Sequence, residues 1–526
     1  MTIFAAIDAG TNSFHLVVAE SAPNGSFTIL TRERENVRLG SGASDMNELS
    51  ENAMDRGIQA LQRLKRLAHD SGASKVTTIA TSAIREAENG KGFIARAEQE
   101  AGLRIDVVSG TEEARLIHLG VLQALDFSSR QHLVVDIGGG STEFVVAKEV
   151  EPLLLRSLKI GAIRLSDRFF PNGVSTRSSV DDCRSHIESF LGPLSDEITE
   201  VGFEVAAGSS GTIRTLAKVS NALNGNRAYT TGSLSLHQSD LTTLVTSLGA
   251  METPEERSRL PGLDERRSDI IVAGGILLDV IMQRLRIKTL EVSEFALREG
   301  ILLEQIRRAS DHSADPLRRL SQLRRSSVMT VAGEYCKDLD HVLHVTDLAL
   351  QLFDGLAEVH HLGAPERELF EAAGILHNVG TFISHSAHHR HSYYLIRNSD
   401  RLLGFTENEI EMVAQVARYH RKSGPKARHP DFASLNEDEQ LKVTWMAAML
   451  RVAIGLDRSN SQLVKAVSVS GKKKLQITVQ IRKGKDASID LYSARERLSL
   501  LEHCLLYTSD AADEGLGVDL GGRRII

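Results

Sequence analysis

Only three cysteines occur in 526 residues, and Cys183, Cys336 and Cys504 lie far apart. They exclude a disulfide framework and a CxxC metal knuckle, and they fit a reducing compartment. No uninterrupted apolar run is long enough to span a bilayer, and Met1-Thr2-Ile3-Phe4-Ala5 enters an apolar segment without a basic leader. The expected location is therefore cytoplasmic, with no stable membrane association. A formal charge of −7 argues against a general nucleic-acid partner. Local basic clusters (Arg318-Arg319, Arg324-Arg325, Arg421-Lys422, Lys472-Lys473-Lys474) read first as solvated faces. Aromatic residues make up just 5% of the chain, so a built purine-stacking pocket has little to draw on. The phosphate loop GxxxxGK[ST] is missing altogether.

Two glycine turns, each opening on an aspartate, stand out against this background. One is Asp8-Ala9-Gly10-Thr11-Asn12-Ser13; the other is Asp136-Ile137-Gly138-Gly139-Gly140-Ser141-Thr142-Glu143. Each lies between two short apolar runs, which predicts strand, tight turn, strand, twice. A strand after the turn, where a dinucleotide fingerprint has a helix, excludes the Rossmann pattern. Three successive glycines weaken a hairpin unless something must approach its backbone closely. Glycine turns let several N–H groups point at one anion. An acidic residue at each strand end is a natural ligand for a hard divalent cation. The pair implies two related half-domains facing each other across a phosphate-filled cleft.

Alternating strand and helix patterns predict α/β layers over residues 1–125 and again over 126–305. Helical periodicity dominates 306–460, with a boundary near Ala309–Pro316, and alternating strands return in a small α+β segment at 461–503. Residues 504–526 continue none of these patterns. Leu506-Tyr507-Thr508-Ser509-Asp510-Ala511-Ala512-Asp513-Glu514 resembles translated sequencing-adaptor DNA, so this stretch is expected to be a non-native tail without function.

Three further segments suit an anion. Thr81-Ser82-Ala83-Ile84-Arg85 places hydroxyls and a guanidinium after a strand. Ser210-Gly211-Thr212 opens a helix whose N–H groups can receive phosphate, and Arg267 precedes a helix holding Gly274-Gly275. Ser109-Gly110-Thr111-Glu112-Glu113-Ala114-Arg115 reads equally as helix-capping chemistry or as a helix that projects a glutamate into the cleft as a general base.

Taken together, Asp8–Ser13, Thr81–Arg85, Ser109–Arg115, Asp136–Glu143, Ser210–Thr212 and Leu297-Arg298-Glu299-Gly300 resemble the exopolyphosphatase/guanosine pentaphosphate phosphatase family, within the actin-like ATPase superfamily. The resemblance implies duplicated ribonuclease-H-like halves followed by the helical domain. It implies Glu113 as the base that activates water, and Mg²⁺ held by Asp136 and Glu143, with Asp8 as a third metal candidate. Phosphate contacts are expected from Asn12, Ser13, Arg85, Gly138, Gly139, Gly140, Ser141, Ser210, Gly211, Thr212 and Arg267. It also suggests a homodimer. The leading expected activity is release of terminal orthophosphate from inorganic polyphosphate; the alternative is hydrolysis of pppGpp, and a nucleotide-binding sensor without turnover ranks third.

Within the helical region, His341, His344 and Gly374-Ile375-Leu376-His377-Asn378-Val379-Gly380 resemble an HD-domain core. Asn378 stands where that core has aspartate, and Ile454 stands at its last aspartate, so the expectation is an HD-like domain without HD chemistry. The run Ser384-His385-Ser386-Ala387-His388-His389-Arg390-His391-Ser392 leaves three readings open: a metal site, a polar interface packed on the helices, or a polyanion track. In the metal reading, a helical segment would put His385 and His389 on one face.

Overall fold

The structure, a computed structural model, describes all residues except 1, 23–26, 41–46, 225–233, 310–316, 472–474, 509–517 and 524–526. The boundary expected near Ala309–Pro316, the Lys472–Lys474 cluster and much of the expected tail fall outside the described residues. The chain divides into two compact units, Met1–Leu317 and Arg318–Ile526. No helix among the described residues is long and apolar enough to cross a membrane.

Unit one contains the same sheet twice. β1 (Ile3–Ala9), β2 (Ser13–Ser21), β3 (Phe27–Asn36), β4 (Lys75–Ala80) and β5 (Ile105–Val107) lie in the order β3-β2-β1-β4-β5. The second sheet holds β6 (Gln131–Ile137), β7 (Thr142–Lys148), β8 (Glu151–Leu158), β9 (Val205–Ser209), β10 (Ser235–His237) and β11 (Thr289–Val292), in the order β10-β11-β9-β6-β7-β8. In each, an antiparallel three-strand meander is extended by two parallel strands on the far side of its first strand, and the second sheet adds β10 antiparallel at the edge. This is the duplicated actin-like arrangement. β1 and β6 are apolar along nearly their whole length because both faces are covered, as central strands of layered sheets require.

The duplication extends to residue register. Asp8 pairs across its hairpin with His15, and Asp136 pairs with Glu143, so His15 and Glu143 occupy equivalent places. Each turn holds four residues, and an added Cβ on Gly10 or Gly138 would stand 3.1 Å from the carbonyl of Ser13 or Ser141 respectively. The two loops also meet: a Cβ on Gly139 would stand 2.9 Å from Thr11 Cβ.

The helix Gly110–Val121 carries Glu113 in its first turn, where Ser109 caps it by accepting from the Glu112 N–H at 3.2 Å. It crosses the helix Leu297–Ala309 at two glycines. A Cβ on Gly300 would collide with the Leu116 carbonyl, and one on Gly120 with the Ala296 carbonyl. Both obstacles are backbone and cannot swing aside.

Unit two is a helical body around one core that includes the fully buried Trp445, with a small sheet of β12 (Val464–Ser470), β13 (Leu475–Ile481) and β14 (Val518–Arg523). The last of these strands, inside the expected tail, pairs parallel with β13. The histidine run is not one helix: helix begins at His388, after Ala387 at φ +54°, so His385 and His389 do not share a helical face. Short polar residues before His388 favour a turn over continuation of a helix. His388 instead stacks on His420, with ring centroids 5.1 Å apart, while His341 Nδ1 meets Asp457 Oδ2 at 2.7 Å.

Replacing Gly300 with valine should cost unit one ~1–3 kcal/mol through overpacking of the helix crossing. A lowered denaturant midpoint for that unit, with unit two unmoved, is the expected observation; an unchanged midpoint would show that the crossing opens freely.

Candidate active site

A cavity of about 560 Å³ opens between the two sheets of unit one. The ends of β1 and β6 deliver Asp8 and Asp136 to it, and the first helical turn delivers Glu113. Glu143 lies behind this floor, buried on β7. Asp136 accepts a hydrogen bond from Ser209, and Ser157 donates to Glu143 Oε1 at 2.8 Å. Asp8 Oδ1 and Glu143 Oε2 are buried and have no hydrogen-bond partner.

These carboxylates are not at ease. Burial, reinforced by repulsion from Glu113, pushes Asp8 up to about 8. Burial also raises Asp136 to about 6 and Glu143 well above the carboxylate range, with Glu113 again adding repulsion in both. Glu113 is raised by burial too, although Arg85 draws it back down. Arg85 NH1 donates to Glu113 Oε2 at 3.0 Å and to the Val108 carbonyl at 2.9 Å. The guanidinium expected on phosphate is thus engaged with the glutamate, and it does not line the cavity. Glu113 Oε1 carries no hydrogen bond among the described residues and is left to the cleft.

The glycine loops bring their backbone to the cavity wall. Gly138 N–H closes its turn on the Ser141 carbonyl at 3.0 Å, while Gly138, Gly139 and Ser141 line the cavity. Gly140 does not; its carbonyl instead accepts from Arg164 Nε at 3.0 Å. Asn12 and Ser13 line the opposite wall, and Asn12 is pinned by donation from the Val37 and Arg38 N–H groups to its carbonyl. Ser210, Gly211 and Thr212 open the helix Ser210–Leu223, with Ser210 held at φ +94°. Such a φ is strained for a side chain other than glycine and occurs where function over-determines the backbone. Gly211 is required by contact: a Cβ there would collide with the Arg267 guanidinium.

Arg267 is buried and makes no side-chain hydrogen bond or ion pair among the described residues. Burial lowers it to about 10, and Arg34 repels it further. Arg34 is alike: NH1 reaches Asp264 Oδ2 at 3.3 Å, while Nε and NH2 are buried without partners. Arg32, Arg214, Lys218 and Arg298 complete the basic lining. None of these five was singled out as a phosphate contact from sequence. Their spacing carries a signal nonetheless, since Arg32 and Arg34 alternate on one face of β3, and Arg214 and Lys218 stand four apart on one helix.

Underpartnered carboxylates on the floor and underpartnered guanidiniums above them suit a polyanion whose phosphoryl end reaches the carboxylates. Comparison with known proteins agrees. Residues 17–309 match the Ppx/GppA phosphatase family, and 323–507 match Ppx/GppA phosphatase, domain III. The chain belongs to this family. A guanosine-5'-triphosphate,3'-diphosphate pyrophosphatase of Photobacterium profundum is 30% identical over 452 residues, covering 86% of this chain and 85% of that protein. Among solved structures, an exopolyphosphatase from Cytophaga hutchinsonii is 30% identical with a TM-score of 0.54, covering 58% of this chain and 98% of its own. The Aquifex aeolicus family member is 28% identical at a TM-score of 0.50, covering 59% and 99%. The chain is therefore a phosphatase by family and an actin-like α/β protein by fold.

In this phosphatase the floor titrates abnormally, with a consequence for stability. Without bound cations, the folded state keeps protons on Asp136 and Asp8 that the unfolded chain releases near pH 4. The folded state then binds more protons, so their contribution is fully present below the unfolded values and is lost as pH rises through about 6 and about 8. With chelator present, the unit-one denaturant midpoint should fall between about pH 5 and about pH 9, and Asp8→Asn should flatten the upper part. A midpoint that climbs over this range would show the pair already ionised in the fold.

Proposed function

We propose that this phosphatase is a Mg²⁺-dependent exopolyphosphatase that releases terminal orthophosphate from inorganic polyphosphate. The observation that carries this reading is the cavity lining. Six cationic side chains (Arg32, Arg34, Arg214, Lys218, Arg267, Arg298) line it, and no phenylalanine, tyrosine or tryptophan is among the described residues of the lining. A train of charges without a stacking platform suits a repeating polyanion more than a purine.

The donor set fits a hard cation. Asp8 Oδ1 and Glu143 Oε2 are orphaned oxygens beside Asp136, and no three His, Cys, Asp or Glu side chains among the described residues close on one point. Mg²⁺ characteristically takes one or two carboxylates and completes its shell with water and substrate phosphate, so one or two of Asp8, Asp136 and Glu143 would hold it. When bound, it would offset negative charge on the phosphoryl oxygens.

The chain's own residues account for the rest. The loop N–H of Gly139 and the start of the Ser210–Leu223 helix receive the terminal phosphoryl group. Arg267 gains the anionic partner it lacks, and Arg34 gains one for the Nε and NH2 groups that Asp264 leaves unmet. Glu113, oriented through Oε2 by Arg85, offers Oε1 to a water molecule and takes its proton as the water oxygen attacks phosphorus. The P–O bond to the remaining chain then breaks. The raised pKa of Glu113 suits a group that must accept a proton near neutral pH. Most of the rate comes from positioning and electrostatics, as in phosphoryl transfer generally.

Hydrolysis of pppGpp is the second reading, favoured by the Photobacterium relative. Phosphate release with Mg²⁺, read as kcat/KM on long-chain polyphosphate and on pppGpp, separates the two. Higher kcat/KM on the polymer is expected, and the reverse preference would replace the first reading with the second. Glu113→Gln should lower kcat by about 100- to 10,000-fold with little change in KM. Arg267→Ala should act chiefly on KM. Substantial turnover by folded Glu113→Gln would move the base elsewhere.

A further inference from the structure

The two phosphate hairpins share a register but differ in the residue opposite the aspartate. In the second hairpin the turn serine and the residue opposite the aspartate are Ser141 and Glu143, and Glu143 Oε1 accepts from Ser157 at 2.8 Å. In the first, the equivalent pair is Ser13 and His15, with Ser13 Oγ 2.9 Å from His15 Nε2. Which atom donates there is decided by a third residue. Arg298 NH1 stands 3.1 Å from His15 Nδ1, and a guanidinium only donates. His15 Nδ1 must therefore accept. A neutral ring that accepts at Nδ1 carries its proton on Nε2 and donates to Ser13 Oγ. Burial together with the nearby Arg298, Arg34, Arg267 and Arg214 guanidiniums keeps that ring neutral.

We propose that His15, locked by Arg298 as the Nε2–H tautomer, is a positioning residue that donates to Ser13 Oγ and thereby leaves the Ser13 proton aimed into the cleft for substrate phosphate. Ser13 lines the cavity, and its hydroxyl has no other protein partner among the described residues. The serine is thus a fixed donor on the side facing phosphate, and the two hairpins differ at this register position, histidine in the first and glutamate in the second. Arg298 is itself tied down by Glu299 at 2.9 Å, so the tautomer is set from a buried anion outward. This inference rests on the proposed function only in taking a phosphate chain as the occupant.

Glutamine and asparagine separate the two ring nitrogens. The amide of glutamine reaches the Nε2 position, while that of asparagine reaches only the Nδ1 position. Calorimetric binding of tripolyphosphate to the full chain should weaken about tenfold in Ser13→Ala, the loss of one charge-assisted hydrogen bond. His15→Asn should weaken it comparably, His15→Gln should bind nearly as wild type, and His15→Asn should add little on the Ser13→Ala background. Equal behaviour of the two His15 variants, or additive losses in the double variant, would reduce His15 to a packing role and overturn the proposal. Should His15→Asn fail to fold, ¹⁵N shifts of the wild-type ring decide: an Nε2–H pattern supports the proposal, and an Nδ1–H tautomer or an imidazolium overturns it. Binding that follows this pattern without hydrolysis of either substrate would sink the proposed function and leave the positioning role standing. Absence of tripolyphosphate binding would sink both.

Discussion

Like charges confined at the buried floor and walls of one cleft are the constraint on which unit one is built. Asp8, Asp136, Glu113 and Glu143 are brought close enough to raise one another's proton affinity, and Arg34 and Arg267 repel each other above them. Each set taken alone destabilises the fold, because burial of an uncompensated charge is among the costliest arrangements a protein holds. They persist because two sheets with continuous apolar cores hold the strand ends rigidly and because each set complements what a phosphate chain brings. On the proposed reading, under-partnered arginines would be met by its oxygens and orphaned carboxylate oxygens by the cations that accompany it, so that the charges are placed before substrate arrives.

Duplication explains how one backbone solution serves two roles. Both hairpins use a four-residue turn after an aspartate, and both place a serine at its last position. What differs is the residue opposite the aspartate, His15 in one half and Glu143 in the other. The Glu143 carboxyl crowds the acidic floor, where burial and Glu113 raise its proton affinity, whereas a neutral imidazole adds no charge and donates to its serine. Divergence at one register position thus separates an acidic side from a phosphate side without altering the fold that carries them.

Much of this was legible in the chain because its signals are local. Strand, glycine turn, strand is a period change readable within fifteen residues, and the central strands, the Asp ends and the helix carrying Glu113 fell where that pattern put them. Arg267 was visible as a cation ahead of a glycine-bearing helix, although Gly211, which makes room for it, could not be tied to it by sequence distance. Long-range pairings were hidden for the same reason. Arg85 reads as a phosphate ligand until β4 and β5 align and bring it to Glu113. Arg298 and His15 are 283 positions apart, so nothing local shows that one fixes the tautomer of the other. The arginines of β3 were veiled by their own glutamates, since Arg32-Glu33-Arg34-Glu35 looks like a solvated edge until one face is seen to line the cleft. In unit two, a fourfold histidine spacing suggested a shared helical face that the turn at Ala387 abolishes.

Specificity on the proposed reading follows from what the lining lacks. A site that hydrogen-bonds a base and stacks on it rejects ligands without that base strongly, because its own polar groups would be left unpaired. The donors of this cavity include guanidiniums, an ammonium, hydroxyls and loop N–H groups, all of which phosphate oxygen can accept from. A nucleoside would have to be tolerated where the described lining offers apolar contact from residues such as Ile117, Ile270 and Leu297. Discrimination then depends on how many phosphates stand in register with Arg32, Arg34, Arg214, Lys218, Arg267 and Arg298. Recognition of that kind is set by charge spacing along a chain, and it weakens with salt as screening reaches the cleft mouth before the buried floor.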